Sequence, residues 1–183
     1  MVPEFLETPR LRLRQWQAAD AEPFAVLNAD PEVMRYFPAL LSRAESDALL
    51  ERCQQMIQDL GHGFWALERR EDQAFLGFVG LKPAPDSLDF APVLEVGWRL
   101  SRHAWGKGYA TEAAQAALRF GFETLNQHEV VSFTAVNNQR SWAVMERLGM
   151  TRSGTFEHPA LPEGHALRTH VLYRMRAAEF RNL

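Results

Sequence analysis

The sequence predicts a mixed α/β fold, a central sheet flanked by helices, within one domain spanning residues 1–183. Three observations carry that reading. Apolar spacings of period two and of period 3.6 follow one another in the order strand, helices, three strands, helix, strand, helix, two strands. No internal repeat and no linker divides them. The composition, 46% hydrophobic and 23% charged, is that of an ordinary globular protein, and folding a chain of this length buries roughly 70% of its unfolded surface, enough for one core.

Leu11, Arg12, Leu13 and Arg14 alternate apolar with charged side chains, the period of a strand with one buried face. Asp20 is placed to cap a helix whose first turn accepts Pro23, and Asp30 with Pro31 repeats that start, so two short helices are expected next. Ser42 and Glu45 have the spacing of a capping box. Leu49, Cys53, Met56, Ile57 and Leu60 then mark one helical face, and Gly61 supplies a left-handed stop. Residues 64–68 and 75–81, separated by the polar stretch RREDQ, read as a hairpin. Pro83, Pro85 and Pro92 surround a polar loop that cannot continue a strand, and Leu94–Leu100 then resumes one. From Ala110 the apolar positions run 110, 113, 114, 117, 118, 122 and 125, a helical series with Glu112, Gln115, Arg119 and Glu123 opposite. Residues 130–136 read as a buried strand, 141–148 as a helix stopped by Gly149, and 150–156 and 167–175 as two closing strands.

The net charge of −3 and a pI near 6.1 provide no general field for phosphate backbones, which argues against bulk nucleic-acid binding. Neither a basic-then-apolar leader nor a run of about 18 apolar residues is present, so a cytoplasmic protein without a membrane span is expected. The lone Cys53 sits in a helical apolar pattern and reads as a packed thiol rather than a nucleophile. His165 and His170 are five apart, not the four that place two ligands on one helical face, and no metal site is expected.

The stretch WGKGYA carries the chemistry. A strand ends, glycines fall at positions 106 and 108, and a helix begins almost at once. Several N–H groups are exposed together, no Cβ obstructs approach at either glycine, and the helix places partial positive charge behind them. Such a turn can receive a pyrophosphate, with Lys107 as a nearby cation. A tight connection between strand and helix would use the same residues. The spacing lacks both the G-x-G-x-x-G of dinucleotide sites and the Lys-Ser/Thr of a nucleotide P-loop, which disfavours NAD and ATP.

Here the sequence resembles the GCN5-related N-acetyltransferase (GNAT) superfamily, whose coenzyme signature reads Gln or Arg, two residues, Gly, one residue, Gly or Ala. Gly108 and Ala110 match, and Trp105 replaces the Gln or Arg. The resemblance is closer to the branch typified by RimJ and RimL, the N-terminal acetyltransferases of ribosomal proteins, through ETPRLRLRQW, Asp20, LEVGWRL, WGKGYATEA and NNQRSWAVMERLGM. It implies a mostly antiparallel sheet with two central strands, Leu94–Leu100 and 130–136, splayed into a cleft that takes the pantetheine arm of acetyl-CoA. It further implies that the backbone of Trp98 and Leu100 bonds the acetyl carbonyl and the arm. The stretch Trp105, Gly106, Lys107, Gly108, Tyr109, Ala110 and Thr111 would hold the pyrophosphate, and Asn137 and Asn138 would bond the pantetheine amides or cap a helix. Relatives are commonly dimeric, and the sequence itself does not bear on that.

Transfer needs a neutral amine, hence a proton acceptor. Glu95 is the candidate base, on the strand that enters the cleft; a salt-bridged strand carboxylate is the competing role. Counting eleven residues back from Gly149 gives Asn138, and the tyrosine that many relatives use to protonate the thiolate would fall seven later, at Met145, which cannot donate. In the RimL-like branch a serine three residues after that Asn takes the task, which is Ser141 here; a helix cap is its other reading. Phe37, Trp65, Phe90 and Trp98 could frame the acceptor, although core packing is the commoner use of such residues. The loop from His158 to His165, with Pro159, Pro162 and Gly164, could cover it. An N-terminal amine, with a reference pKa of about 7.7–8 against about 10.4 for lysine, holds hundreds-fold more neutral form at pH 7. The sequence therefore points to acetyl transfer to an N-terminal α-amine, with two other readings open: a small-molecule amine as acceptor, and a non-catalytic acyl-CoA-binding module.

Overall fold

Residues 4–180 are described by the computed structural model, so the outermost residues of the expected 1–183 span lie outside it. In chain order the strands are β1 (Phe5–Glu7), β2 (Leu11–Arg14), β3 (Phe64–Arg69), β4 (Phe75–Pro83), β5 (Leu94–Leu100), β6 (Glu129–Ala135), β7 (Thr151–Glu157) and β8 (Thr169–Arg176). The helices are α1 (Ala21–Asn28), α2 (Arg43–Leu60), α3 (Tyr109–Arg119), α4 (Gln139–Arg147) and the short α5 (Ala177–Phe180). All eight strands form one sheet in the order β1-β2-β3-β4-β5-β6-β8-β7. Every neighbouring pair is antiparallel except β5 and β6, which run parallel and are joined by the α3 crossover.

That parallel pair sets up the site. It is registered only at Leu94↔Val130 and Glu95↔Val131; farther along, the two strands diverge. The Ser132 hydroxyl donates to the Val96 carbonyl at 2.8 Å and bridges the point of divergence.

Strand alternation sends side chains to two cores. On one face Leu11, Leu13, Trp65, Leu67, Val79 and Leu81 pack against Ala113, Ala114, Ala117 and Leu118 of α3. Those three alanines are fully buried, which lets the helix backbone lie close to the sheet. On the other face Ala66 and Phe78 meet Trp16, Phe24, Leu27, Val33, Met34 and Cys53. The Cys53 thiol is buried, and burial pushes its pKa up to about 11, as befits a packed thiol.

Helix α2 follows its sequence signals: Ser42 accepts from the Glu45 N–H at 3.2 Å, Glu45 answers on the Ser42 N–H at 2.7 Å, and Gly61 ends it at φ 73°. Other expectations need correction. Residues 31–36, expected as a short helix, form successive turns; Asp30 does accept the Glu32 N–H at 2.9 Å, but the buried pair Val33 and Met34 has no helical repeat to sustain it. Asp20 sits at the start of α1 without a side-chain cap. Its carboxylate is taken instead by the Gln17 N–H and by Arg14, bidentate at 2.8 and 2.9 Å. Arg14, expected on the face of the strand opposite the buried one, is itself buried and also binds Glu68 at 2.7 Å. Helix α4 starts at Gln139 rather than Ser141 because Asn138 is its cap. Strand β1 was not singled out, since three residues are too few to show alternation; it pairs with β2 through Leu6↔Leu13. Among the described residues no helix is long and apolar enough to cross a membrane, and no group of three or more His, Cys, Asp or Glu residues could hold a metal ion.

Candidate functional site

Between β5 and β6 opens a cleft of about 1860 Å³, walled by β5, the 105–108 turn, the starts of α3 and α4, and the turns at 32–38, with His158, Ala160 and Leu161 at one end. At the turn, Gly106 and Gly108 have φ of 73° and 79°, the left-handed region that glycine enters at no steric cost. The ladder of α3 begins with the Glu112 N–H donating to the Gly108 carbonyl at 3.0 Å. The N–H groups of Gly106, Lys107, Gly108, Tyr109 and Ala110 therefore find no acceptor among the described residues. A Cβ built on Gly106 would meet nothing within 4 Å, so the turn faces open space. Thr111 Oγ1, in the first turn of α3 on the cleft wall, is buried without a hydrogen-bond partner. Unpaired donors, open volume and an orphaned hydroxyl suit an anionic group seated on the helix N-terminus.

Charge arrives there by an unexpected route. Lys107 is exposed and does not line the cleft. Trp105 donates its indole N–H to the Leu100 carbonyl at 2.9 Å, and the Arg140 guanidinium lies 4.0 Å from its ring centroid. The tryptophan at the signature position thus seats an arginine from α4 beside the turn.

Along β5, backbone groups alternate between the two edges. Val96 turns its carbonyl toward β6, where Ser132 binds it, so Trp98 and Leu100, of the same parity, turn theirs toward the splayed edge too. Their N–H groups point into the cleft. Glu95, Gly97 and Arg99 have the opposite parity and line the cleft beside Phe64 and Phe78. Glu95 Oε1 is 3.5 Å from Lys82 Nζ, while Oε2 is buried without a partner. Burial raises the Glu95 pKa to about 7, against the pull of Lys82.

At α4, Asn138 Oδ1 accepts from the Ser141 N–H at 3.4 Å and its Nδ2 donates to Thr134 Oγ1 at 2.9 Å. The asparagine, not the serine, caps the helix. Ser141 lines the cleft, and among the described residues its hydroxyl has no hydrogen-bond partner. Asn137 lines the cleft as well, and Met145 is buried at its floor.

The four aromatic residues divide. Trp98 and Phe37 line the cleft. Trp65 does not: period-two alternation of β3 sends it into the core, edge-to-face with Phe120 at 5.5 Å, and brings Phe64 to the cleft instead. Phe90 also stands off the cleft wall, packed on Phe133 at 5.8 Å and Phe156 at 5.2 Å. The sequence offers His158 as the start of a covering loop and His170 only as a metal-spacing mismatch with His165; their juxtaposition, with rings 4.9 Å apart beside the cleft, comes from the β7–β8 pairing, which spacing does not show. Burial holds both below the usual imidazole pKa. Arg99 was passed over; its only sequence signal was a charge amid an apolar strand.

A family model described as acetyltransferase (GNAT) domain matches residues 10–151. The chain belongs to the GNAT acetyltransferases. This acetyltransferase is 29% identical to the uncharacterized N-acetyltransferase YnaD of Bacillus subtilis, over 96% of its own length and 98% of that protein. It is 32% identical to FsC-acetyl coenzyme A-N(2)-transacetylase of Aspergillus fumigatus, covering 82% of this chain and 66% of the other. Among solved structures, the GNAT acetyltransferase of Bacillus anthracis shares its fold at a TM-score of 0.81 and 23% identity, over 95% of this chain and 99% of that one. The acetyltransferase is accordingly an acyl-CoA-dependent enzyme that uses acetyl-CoA.

Proposed function

We propose that acetyl-CoA lies between β5 and β6 and that its acetyl group passes directly to a primary amine, most favourably an N-terminal α-amine. The observation that carries this is Glu95, a carboxylate with a pKa of about 7 and one buried, unpaired oxygen on the wall of the cleft. A base of pKa 7 is within about one unit of an α-amine and more than three from a lysine amine, and each unit of mismatch costs about 1.4 kcal/mol.

The cosubstrate supplies an activated thioester. The free N–H groups of the 106–110 turn, with Arg140 beside them, receive its pyrophosphate. The Trp98 N–H, aimed into the cleft, bonds the acetyl oxygen and gains strength as negative charge develops there. Glu95 takes a proton from the attacking amine, directly or through one water, and Ser141 donates a hydrogen bond toward the departing thiolate. Asn138, occupied by the α4 cap and Thr134, positions Ser141. The resemblance of the opening and closing stretches to the RimJ and RimL branch supports a peptide or protein N-terminus as acceptor. Likeness to the Aspergillus transacetylase favours a second reading, a small-molecule amine. The free buried thiol of Cys53 suits a reducing, cytoplasmic setting.

Release of CoA, followed with peptides bearing free or blocked N-termini beside a panel of small amines, tests this. Ser141→Ala should lower kcat about 100-fold with acetyl-CoA affinity unchanged. Turnover confined to free N-termini supports the peptide reading, turnover confined to small amines supports the second, and none with any amine overturns both.

A further inference from the structure

Arg99 is a half-buried cation that pairs with no carboxylate among the described residues. Its guanidinium lies 4.2 Å from the Phe37 ring centroid and 5.2 Å from that of Phe78. Among the described residues it makes one hydrogen bond, from Nη1 to Asn28 Oδ1 at 2.7 Å, and Nε is buried without a partner. Asn28 is itself fully buried and locked by its own bond to Ser46 Oγ at 3.0 Å, so it offers a neutral oxygen and no charge. The nearby acids are engaged elsewhere or do not reach: Asp30 binds Arg102 at 2.8 Å, and Glu32 lines the cleft without pairing to Arg99. Burial drives the guanidinium pKa down to about 10, with no carboxylate opposing the shift.

Buried charges are normally paired, and a guanidinium fork fits a carboxylate better than any other small group. This one is held by two aromatic rings, lines the cleft, and stands on the same strand face as Glu95. Between them Gly97 contributes no side chain, and the Phe64 ring takes that space instead, 3.0 Å from where a Cβ would stand, so Phe64 forms the cleft wall between the two charged residues. The Cα positions of residues 95 and 99 are about 13 Å apart on an extended strand, and both residues line the cleft.

We propose that Arg99 binds a carboxylate of the acceptor, so that this enzyme acetylates primary amines that also carry a carboxylate. The assignment rests on the reading above, in which the acceptor amine reaches Glu95. The chemistry is met by a peptide whose first residue is Asp or Glu and by a free amino acid; polycationic amines are disfavoured by the same guanidinium.

Two measurements on the full chain separate the proposals. In the first, kcat/KM is compared for C-terminally amidated peptides that start with Asp, Glu, Asn or Gln, and for free aspartate and glutamate, using wild type, Arg99→Gln and Arg99→Lys. Wild type should favour the acidic peptides over their amide counterparts at least tenfold, mainly through KM. In Arg99→Gln that ratio should fall toward one, with Arg99→Lys between. In the second, the CoA-loaded protein is titrated calorimetrically with N-acetyl-Asp and N-acetyl-Asn peptide amides. The acidic product should bind wild type at least tenfold more tightly than the Asn product, and this preference should vanish in Arg99→Gln while CoA affinity stays the same. Free amino acids preferred over acidic peptides would assign the carboxylate to the small-molecule source. Equal acidic-to-neutral ratios in wild type and Arg99→Gln overturn the proposal whether or not transfer occurs. Arg99-dependent binding of N-acetyl-Asp with no CoA release from any amine leaves the carboxylate site standing and removes the transfer reading.

Discussion

Glu95 shows how a single residue can be both a catalytic asset and a structural cost. Its pKa lies near 7 because burial outweighs the attraction of Lys82, so the base is ionised and competent only above that pH. At saturating amine, kcat should rise with pH through about 7, and Glu95→Gln should abolish that limb and lower kcat about 100-fold or more. Stability follows the opposite sign. A carboxyl whose folded pKa exceeds its unfolded value favours the fold at low pH, and that advantage is lost between about 4.5 and 7 as the buried group is forced to charge. Glu95→Gln should therefore match wild type in melting temperature near pH 4 and exceed it at pH 8, by roughly 2–4 °C for each kcal/mol relieved. A solvated strand carboxylate would give neither effect. The sequence could nominate Glu95 by its strand position, but the buried Oε2 without a partner depends on how β5 packs beside Lys82 of β4. Arg99 was harder still, because an arginine in a strand looks solvent-facing until the turns at 32–38 are seen to roof it with Phe37.

Among the elements, the 105–108 turn and α3 were legible because their signals are local: two glycines, then apolar positions at helical spacing, of which 110 to 118 lie in α3 while 122 falls in the π-helical turn Phe120–Thr124 that follows and 125 caps it. Gly108 is the N-cap of α3 in a left-handed conformation. Gly108→Val should weaken acetyl-CoA binding at least tenfold, since a β-branched residue there carries about 1–2 kcal/mol of strain and screens the free N–H groups. Isothermal titration with CoA checks this, and an unchanged affinity would show that the turn does not hold the pyrophosphate. What was not legible at this scale depends on contacts between elements. Arg140 belongs to α4 by sequence but to the phosphate turn by its stacking on Trp105. Asp20 looked like a cap and serves Arg14 instead, because the partners that claim it, Arg14 and through it Glu68, are brought together by the β2–β3 pairing. Residues 31–36 had a helix-start signal with no apolar repeat behind it, and an Asp-Pro start without that repeat produced turns.

Across the whole molecule, strand and helix order could be read from periodicity, whereas the sheet order and the one parallel neighbour could not. Which strands meet depends on long-range pairing, and only the resemblance to other acetyltransferases suggested the divergence of β5 from β6. The structure makes that divergence concrete: an antiparallel set β1 to β5 and another, β6-β8-β7, share a seam of two residue pairs and one serine bridge. Each set is stitched internally along its full strands, so backbone amides in the middle of either should exchange with deuterium slowly even without ligand. Those on the facing edges of β5 and β6 beyond Ser132 have no partner strand to shield them and should exchange fast. Saturating CoA should slow the Trp98 and Leu100 amides selectively, and loss of protection at β6 in Ser132→Ala would locate the seam as the weakest line in the sheet. The place where this protein is least stitched together would then be the place where its cosubstrate completes it.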